Sequence, residues 1–224
     1  STGVKSDPEA LTKLAHEYGC LSIVDTVTGL AGIPLMVDEW GIDAIYSGTQ
    51  KCLSASPGLS PISFSNNAKD KIKKRKTKVK SWFHDLNLIM SYWEGEGARS
   101  YHHTAPINAL YGLHEALVIL EEEGIENSWK RHYDNHILLR DGLEEIGINF
   151  LVNKEDRLPQ LNTIFIPDGV NDAEVRSKLL NEYNLEIGAG LGSLAGKVWR
   201  IGLMGQSSNK KNIDYCLNSI AEVI

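Results

Sequence analysis

Apolar residues in the first half of the chain come in short runs that alternate with amphipathic, well-punctuated segments. SDPEALTKLAHEYGC (6–20) reads as a helix: Asp7 caps it, Pro8 lies in its first turn, Glu9 suits the positive end of the dipole, and Gly19 stops it. CLSIVD (20–25), DAIYSGT (43–49) and LSPISFS (59–65) are short, largely apolar strands, and NNAKDKIKKRK (66–76) is a polar helix with Asn66 as its cap. Helices alternating with such strands predict an α/β layer built on a parallel or mixed sheet. TAPINALYGLHEALVILEEEG (104–124) is the longest helical signal, with Thr104 as cap, Pro106 in the first turn and Gly124 as stop.

Beyond Gly124 the pattern changes. A second long helix runs from Glu126 to Ile146 and ends at Gly147. INFLV, LNTIFIP, LEIG and KVWRIGL then read as short strands, interspersed with the helices NDAEVRSKLLNEY and SNKKNIDYCLNSIAEVI. Asn171 and Glu174 form a capping pair for the first of these helices. That is an α+β layout, which places a domain boundary near Gly124 and divides the chain into residues 1–124 and 125–224. There is no internal repeat and no low-complexity tract.

Composition narrows the function classes. The 224 residues are 42% hydrophobic and 23% charged, as in an ordinary globular protein large enough for a real core. A formal charge of −6 argues against a general nucleic-acid binder. The basic run KDKIKKRKTKVK (69–80) has no aromatic interleaving and reads as a solvated helix face. Cys20, Cys52 and Cys216 lack CxxC spacing, so neither a zinc site nor a disulfide framework is expected, and a reducing compartment fits. No apolar run approaches the ~20 residues that span a bilayer, and no signal peptide or other targeting signal is visible. The opening STGVKSDPEAL lacks Met and enters a helix almost at once, as if the chain began midway through a longer one.

Chemistry concentrates at the strand ends. Asp25 ends a strand where open α/β sheets carry their ligand sites, although an aspartate there also serves to cap the next turn. Lys51 follows another strand among small residues (Ser47, Gly48, Thr49, Ser54, Ala55, Ser56), either as a surface lysine or as one that bonds covalently. A lysine facing a carboxylate at such strand ends suits pyridoxal phosphate: the amine forms a Schiff base and the carboxylate keeps the pyridine nitrogen protonated. Arg200, inside VWRIG, needs an anionic partner, either an internal carboxylate such as Glu186 or a bound substrate. His132 and His136, spaced i, i+4, read as surface histidines, and the adjacent His102 and His103 point in different directions. GAGLGS (188–193) lacks the third glycine and the downstream acid of a dinucleotide loop.

VDTVTGLAGIPLMVDEWGIDAIYSGTQKCLSASPG (24–58) resembles the class V pyridoxal-phosphate aminotransferases of the alanine–glyoxylate and serine–pyruvate group, and RKTK, YHHTAP, EEGIENSW, RLPQLNT and GKVWRIGLMG continue the likeness in order. The resemblance implies a fold-type I transferase, α/β in class, here the C-terminal part of a large mixed-sheet domain followed by a small α+β domain. It implies that Lys51 is the Schiff-base lysine, that Asp25 partners the pyridine nitrogen, that Val27 packs beneath the ring, and that Gln50 lies near the phosphate. It further implies that Tyr101 and Thr104 reach the phosphate in the other subunit of a homodimer with shared active sites. Arg200 then grips the substrate carboxylate as a bidentate fork, and the 188–193 loop lines the substrate side. A helix N-terminus at Thr104 suits an anion on physical grounds, and a plain helix cap is the alternative.

The implied reaction moves an amino group from alanine or serine to glyoxylate or pyruvate. A 3-hydroxykynurenine transaminase of the same family and a non-catalytic scaffold that retains the fold are the alternatives. The substrates are amino acids and 2-oxo acids, and neither a nucleic acid nor a membrane partner is expected. The family places such proteins inside the cell, in peroxisomes or mitochondria. Departures also matter: the glycine-rich phosphate loop and stacking aromatic of the family's N-terminal half are absent, and its phosphate-binding serine is Ser1 or the residue before it. Residues 1–224 alone are therefore expected to be inactive.

Overall fold

The computed structural model describes residues 1–94 and 101–224. Three strands from the first half form a mixed sheet in the order β1 (Ile23–Asp25), β2 (Ala44–Tyr46), β3 (Ile62–Phe64). β1 and β2 run parallel with Asp25 opposite Tyr46, and β3 returns antiparallel to β2. Helix α1 (Pro8–Glu17) begins as its sequence dictates, with Asp7 accepting a 3.0 Å bond from the amide of Ala10. Asp43, at the start of β2, ties these elements together. Its buried carboxylate accepts from the Ser22 amide at 3.0 Å and the Ser65 hydroxyl at 2.9 Å, and meets His16 Nε2 at 2.7 Å. Burial works against the charge, but these partners outweigh it and hold the carboxyl below its ordinary value.

α2 (Asn66–Lys73) is capped one residue earlier than expected. Ser65 has extended backbone angles and accepts from the Ala68 amide at 3.1 Å, so Asn66 is already the first helical residue. The basic run lies partly on α2 and partly on the exposed stretch that follows it, so it is not a single helix face. α3 (Leu86–Glu94) comes next, an element the sequence pattern does not anticipate. α4 (Ile107–Glu123) starts later than its signal, with Pro106 in the cap position and no side-chain cap. The cause is local: Pro106 pushes Ala105 out of the helical region, which strands Thr104 outside the first turn.

At Gly124, with φ at 83°, the chain breaks and re-enters α5 (Ile125–Glu145). The second sheet is antiparallel, in the order β4 (Leu161–Phe165), β6 (Val198–Gly202), β5 (Gly188–Ala189). α5, α6 (Asp172–Tyr183) and α7 (Lys210–Val223) cover it around a core that includes Leu139, Ile164, Leu179, Trp199, Ile213 and Ile220. Trp199 is fully buried and donates its indole N–H to Asp172 at 2.9 Å. Asn171 caps α6 by accepting from the amides of Ala173 and Glu174. INFLV pairs with β4 only through one bridge, Phe150 opposite Ile164, and LEIG contributes only its glycine to β5.

The first residues cross the division expected near Gly124. The Lys5 amide donates to the Asp156 carbonyl and the Leu158 amide to the Gly3 carbonyl, both at 2.8 Å, with Val4 bridged to Arg157. The opening segment therefore packs with the antiparallel half of the chain.

Candidate active site

Asp25 closes β1 and does two things at once. Its Oδ1 accepts from the Val27 amide at 2.9 Å, turning the chain out of the strand. Its Oδ2 accepts a hydrogen bond of 2.8 Å from the Tyr46 hydroxyl. Tyr46 is the parallel-register partner of Asp25 on β2. The hydrogen bond to Asp25, before burial, raises the Tyr46 phenol above its ordinary value. Sequence reasoning passed over Tyr46. Its one available signal was its place in AIYSG, at the end of a strand next to that of Asp25.

Lys51 lies in a tight loop anchored by Thr49, which is fully buried and donates to the carbonyls of Ser56 and Leu59. The Ser54 amide closes the turn on the Lys51 carbonyl at 2.9 Å. Lys51 is half-buried and forms no ion pair among the described residues. It lines a cleft of about 450 Å³ with Gln50, Ala55, Gly202, Met204 and Gln206 among others. Gln50 is exposed beside Gly48, where a Cβ would stand 2.7 Å from Gln50 Oε1. Next to Lys51, Cys52 is buried, which pushes its thiol up to about 11.

Arg200 occupies β6, the central strand of the second sheet, two residues before the cleft-lining Gly202. Its Nε donates to the Ala189 carbonyl at 2.7 Å. The expected alternative, an ion pair with Glu186, does not form, and neither Nη has a hydrogen-bond partner among the described residues. Gly188 leaves space beside the guanidinium, since a Cβ there would stand 3.4 Å from one Nη.

The chain after β6 latches onto the Lys51 loop. The Gln206 amide donates to Ser54 Oγ at 2.8 Å. From the other side, Arg131 pairs with Glu123 and donates to the carbonyls of Gly205 (2.7 Å) and Ser208 (3.0 Å). That ion pair holds Glu123 below the usual carboxylate range. His132 accepts from the Gly205 amide at 2.9 Å and meets the Ser128 carbonyl through Nδ1 at 2.7 Å. His132 and His136 are therefore buried, not surface residues, and burial lowers both their pKa values. Their face of α5 packs against the 204–208 turn and β4, where His136 bonds Asn162 at 2.6 Å. Gly205 has φ of 56°, and a Cβ there would fall 1.8 Å from Ser54 Oγ and 2.7 Å from the Cys52 carbonyl. Gly205→Ala is expected to cost about 1–3 kcal/mol of stability, read as a lower thermal midpoint; an unchanged midpoint would mean the latch carries no constraint.

Tyr101 and Thr104 are bonded to each other through their hydroxyls. Beside them His102 stacks on Trp82 at a centroid distance of 4.0 Å. Among the described residues no hydrogen bond joins Tyr101 or Thr104 to Asp25, Lys51 or Arg200. Gly190, in the 188–193 loop, packs so closely that a Cβ would meet the Leu194 carbonyl at 2.1 Å. No helix among the described residues is long and apolar enough to cross a membrane.

Comparison with known proteins gives a consistent result. The model of the class-V aminotransferase family matches residues 1–215. The alanine–glyoxylate aminotransferase of Rattus norvegicus is 42% identical over 226 residues, a span that takes in 100% of this chain and 55% of the relative. The (S)-ureidoglycine–glyoxylate transaminase of Bacillus subtilis (strain 168) is 33% identical over 242 residues, covering 100% of this chain and 58% of the relative. The crystal structure of alanine–glyoxylate aminotransferase from Nostoc sp. superposes with a TM-score of 0.95 at 48% identity, covering 100% of this chain and 59% of that one. The chain thus spans a little over half the length of the curated relatives it matches.

Proposed function

This chain belongs to the class-V aminotransferase family, and on that premise we propose that it provides the lysine, the ring-nitrogen carboxylate and the substrate arginine of a pyridoxal-phosphate transaminase. Its architecture is part of a fold-type I transferase. The proposed reaction moves an amino group from alanine or serine to glyoxylate or pyruvate. Glyoxylate is preferred as acceptor, because both curated relatives carry it in their names. The observation that carries the reading is the placement of Lys51, whose amine is unpaired among the described residues, after the carboxyl end of β2 and of an exposed carboxylate, Asp25, at the carboxyl end of the adjacent parallel strand β1.

That donor set fits pyridoxal 5′-phosphate, which needs an amine for its aldehyde and an anion for its basic ring nitrogen. When bound, this cofactor supplies an electron sink that makes the α C–H of an amino acid acidic. Lys51 is the residue that would hold it, through its side-chain amine, and the same amine, when free, would serve as the base for the substrate's α-proton. The Asp25 carboxylate would be the counter-ion that keeps the ring nitrogen protonated. Val27, whose amide donates to Asp25, and Gln50 would be further residues that hold the cofactor, Val27 at the ring and Gln50 at the phosphate. Arg200 keeps both Nη groups for a substrate carboxylate because its Nε is already held by Ala189.

In the same reading Tyr101 and Thr104 serve the phosphate of a partner copy. The protein acts as a homodimer, in peroxisomes or mitochondria. We place the division between its large and small domains at Gly124.

The test is alanine-to-glyoxylate amino transfer by the full-length protein with added pyridoxal phosphate, followed as pyruvate formed. Arg200→Lys should keep the cofactor's visible absorbance while kcat/KM for alanine falls about 10- to 100-fold. An ammonium cannot reproduce the planar two-point grip. A wild-type protein that binds the cofactor yet transfers nothing would favour the scaffold reading. An Arg200→Lys variant with undiminished kcat/KM would remove Arg200 from the site.

A further inference from the structure

We propose that Tyr46 is a positioning residue for this reaction: its hydroxyl fixes the Asp25 carboxylate in one orientation. The inference rests on the transaminase reading above. Asp25 is exposed, and its own turn secures only Oδ1, through the Val27 amide at 2.9 Å. A carboxylate held at one oxygen can still pivot, and water competes for the other. The Tyr46 hydroxyl removes that freedom by donating to Oδ2 at 2.8 Å from a different strand.

Tyr46 is itself well placed to do this. The parallel register sets it opposite Asp25, and its carbonyl accepts from both the Thr26 amide (2.9 Å) and the Thr26 hydroxyl (2.8 Å). Thr26, the residue after Asp25, is thus stitched to the end of β2. Its ring is only partly packed, with Tyr46 40% exposed. Its raised phenol pKa keeps the hydroxyl a donor at neutral pH and above.

The consequence follows from carboxylate chemistry. Two donors use one lone pair on each oxygen and leave the others free for a cationic ring nitrogen. A carboxylate fixed in this way would keep those lone pairs aimed at one place, where a protonated ring nitrogen would need its counter-ion.

Two experiments test the proposal. In the cofactor-free protein carrying ¹³Cζ-tyrosine, the Tyr46 resonance, assigned by its loss in Tyr46→Phe, should titrate at lower pH in Asp25→Asn than in the wild type. An unmoved titration would mean that Tyr46 does not hold Asp25. In the loaded full-length enzyme, Tyr46→Phe should lower kcat for alanine about tenfold with KM for alanine unchanged. It should also shift the pH dependence of the cofactor's visible absorbance, which a merely structural ring would leave in place. An active wild type with an equally active Tyr46→Phe variant and an unmoved absorbance profile overturns the proposal alone. A loaded wild type without any amino transfer overturns the underlying reading and the proposal with it.

Discussion

Lys51→Ala is expected to abolish transamination, with a fall of roughly 10⁴-fold or more, at the upper end of what a positioned acid–base group contributes. The reason is that one side chain does two jobs. On the proposed reading its amine would carry the cofactor covalently and, when free, would also take up the α-proton. The fold readies Lys51 for both: the Thr49 hydroxyl pins the loop, the Ser54 amide closes the turn on the Lys51 carbonyl, and no carboxylate among the described residues neutralises the amine. Lys51→Arg should fail equally, because a guanidinium stays protonated and is no nucleophile. Borohydride reduction of the loaded full-length protein, followed by peptide mass mapping, should place the pyridoxyl group on the peptide containing Lys51. An adduct on another lysine, or appreciable turnover in Lys51→Ala, would sink the assignment.

What the sequence could disclose divides along a physical line. Features set by a few neighbouring residues were legible: the Asp7 cap of α1, the break at Gly124, the short strand ending at Asp25, and a strand within 43–49, which stops at Tyr46 rather than running on to Thr49. Where two candidate caps stand side by side, the backbone decides, and Ser65 took the place that Asn66 was given. At Thr104 a proline two residues on moved the helix start, a restriction that a cap-residue search does not weigh. Strands too weak in themselves, such as INFLV, depend on the partner they find, and there β4 offered a single bridge.

Contacts between distant segments were illegible for a different reason. An i, i+4 pair such as His132 and His136 shares a helix face, but nothing local says whether that face meets water or the 204–208 turn. Likewise the Asp25–Tyr46 bond exists only because β1 and β2 align in one parallel register. The Ser54–Gln206 bond joins the Lys51 loop to the chain beyond Arg200 across most of the sequence. The chemistry-bearing residues were visible one by one, whereas the contacts that orient them required the fold.

Asp25→Asn should retain the cofactor on Lys51 and lose roughly 10²–10³-fold in kcat, the usual cost of removing one preorganised charge from a reacting centre. The substitution is close to isosteric, and the local structure can absorb it. The amide oxygen still accepts from the Val27 amide, so the turn out of β1 survives. The new NH₂ faces the Tyr46 hydroxyl, which can rotate and accept in place of donating. What cannot be replaced is the negative charge. A neutral amide gives a protonated ring nitrogen no counter-ion, and the electron sink that acidifies the α C–H weakens accordingly. The fall should therefore appear in kcat, with the loaded spectrum still present but shifted in its pH dependence and with the thermal midpoint little changed. Stopped-flow measurement of α-proton removal from alanine, with a deuterium label at Cα, would locate the slowed step. Near-normal turnover in Asp25→Asn would reduce Asp25 to the cap of its own turn, and a collapsed thermal midpoint would make its charge structural rather than chemical.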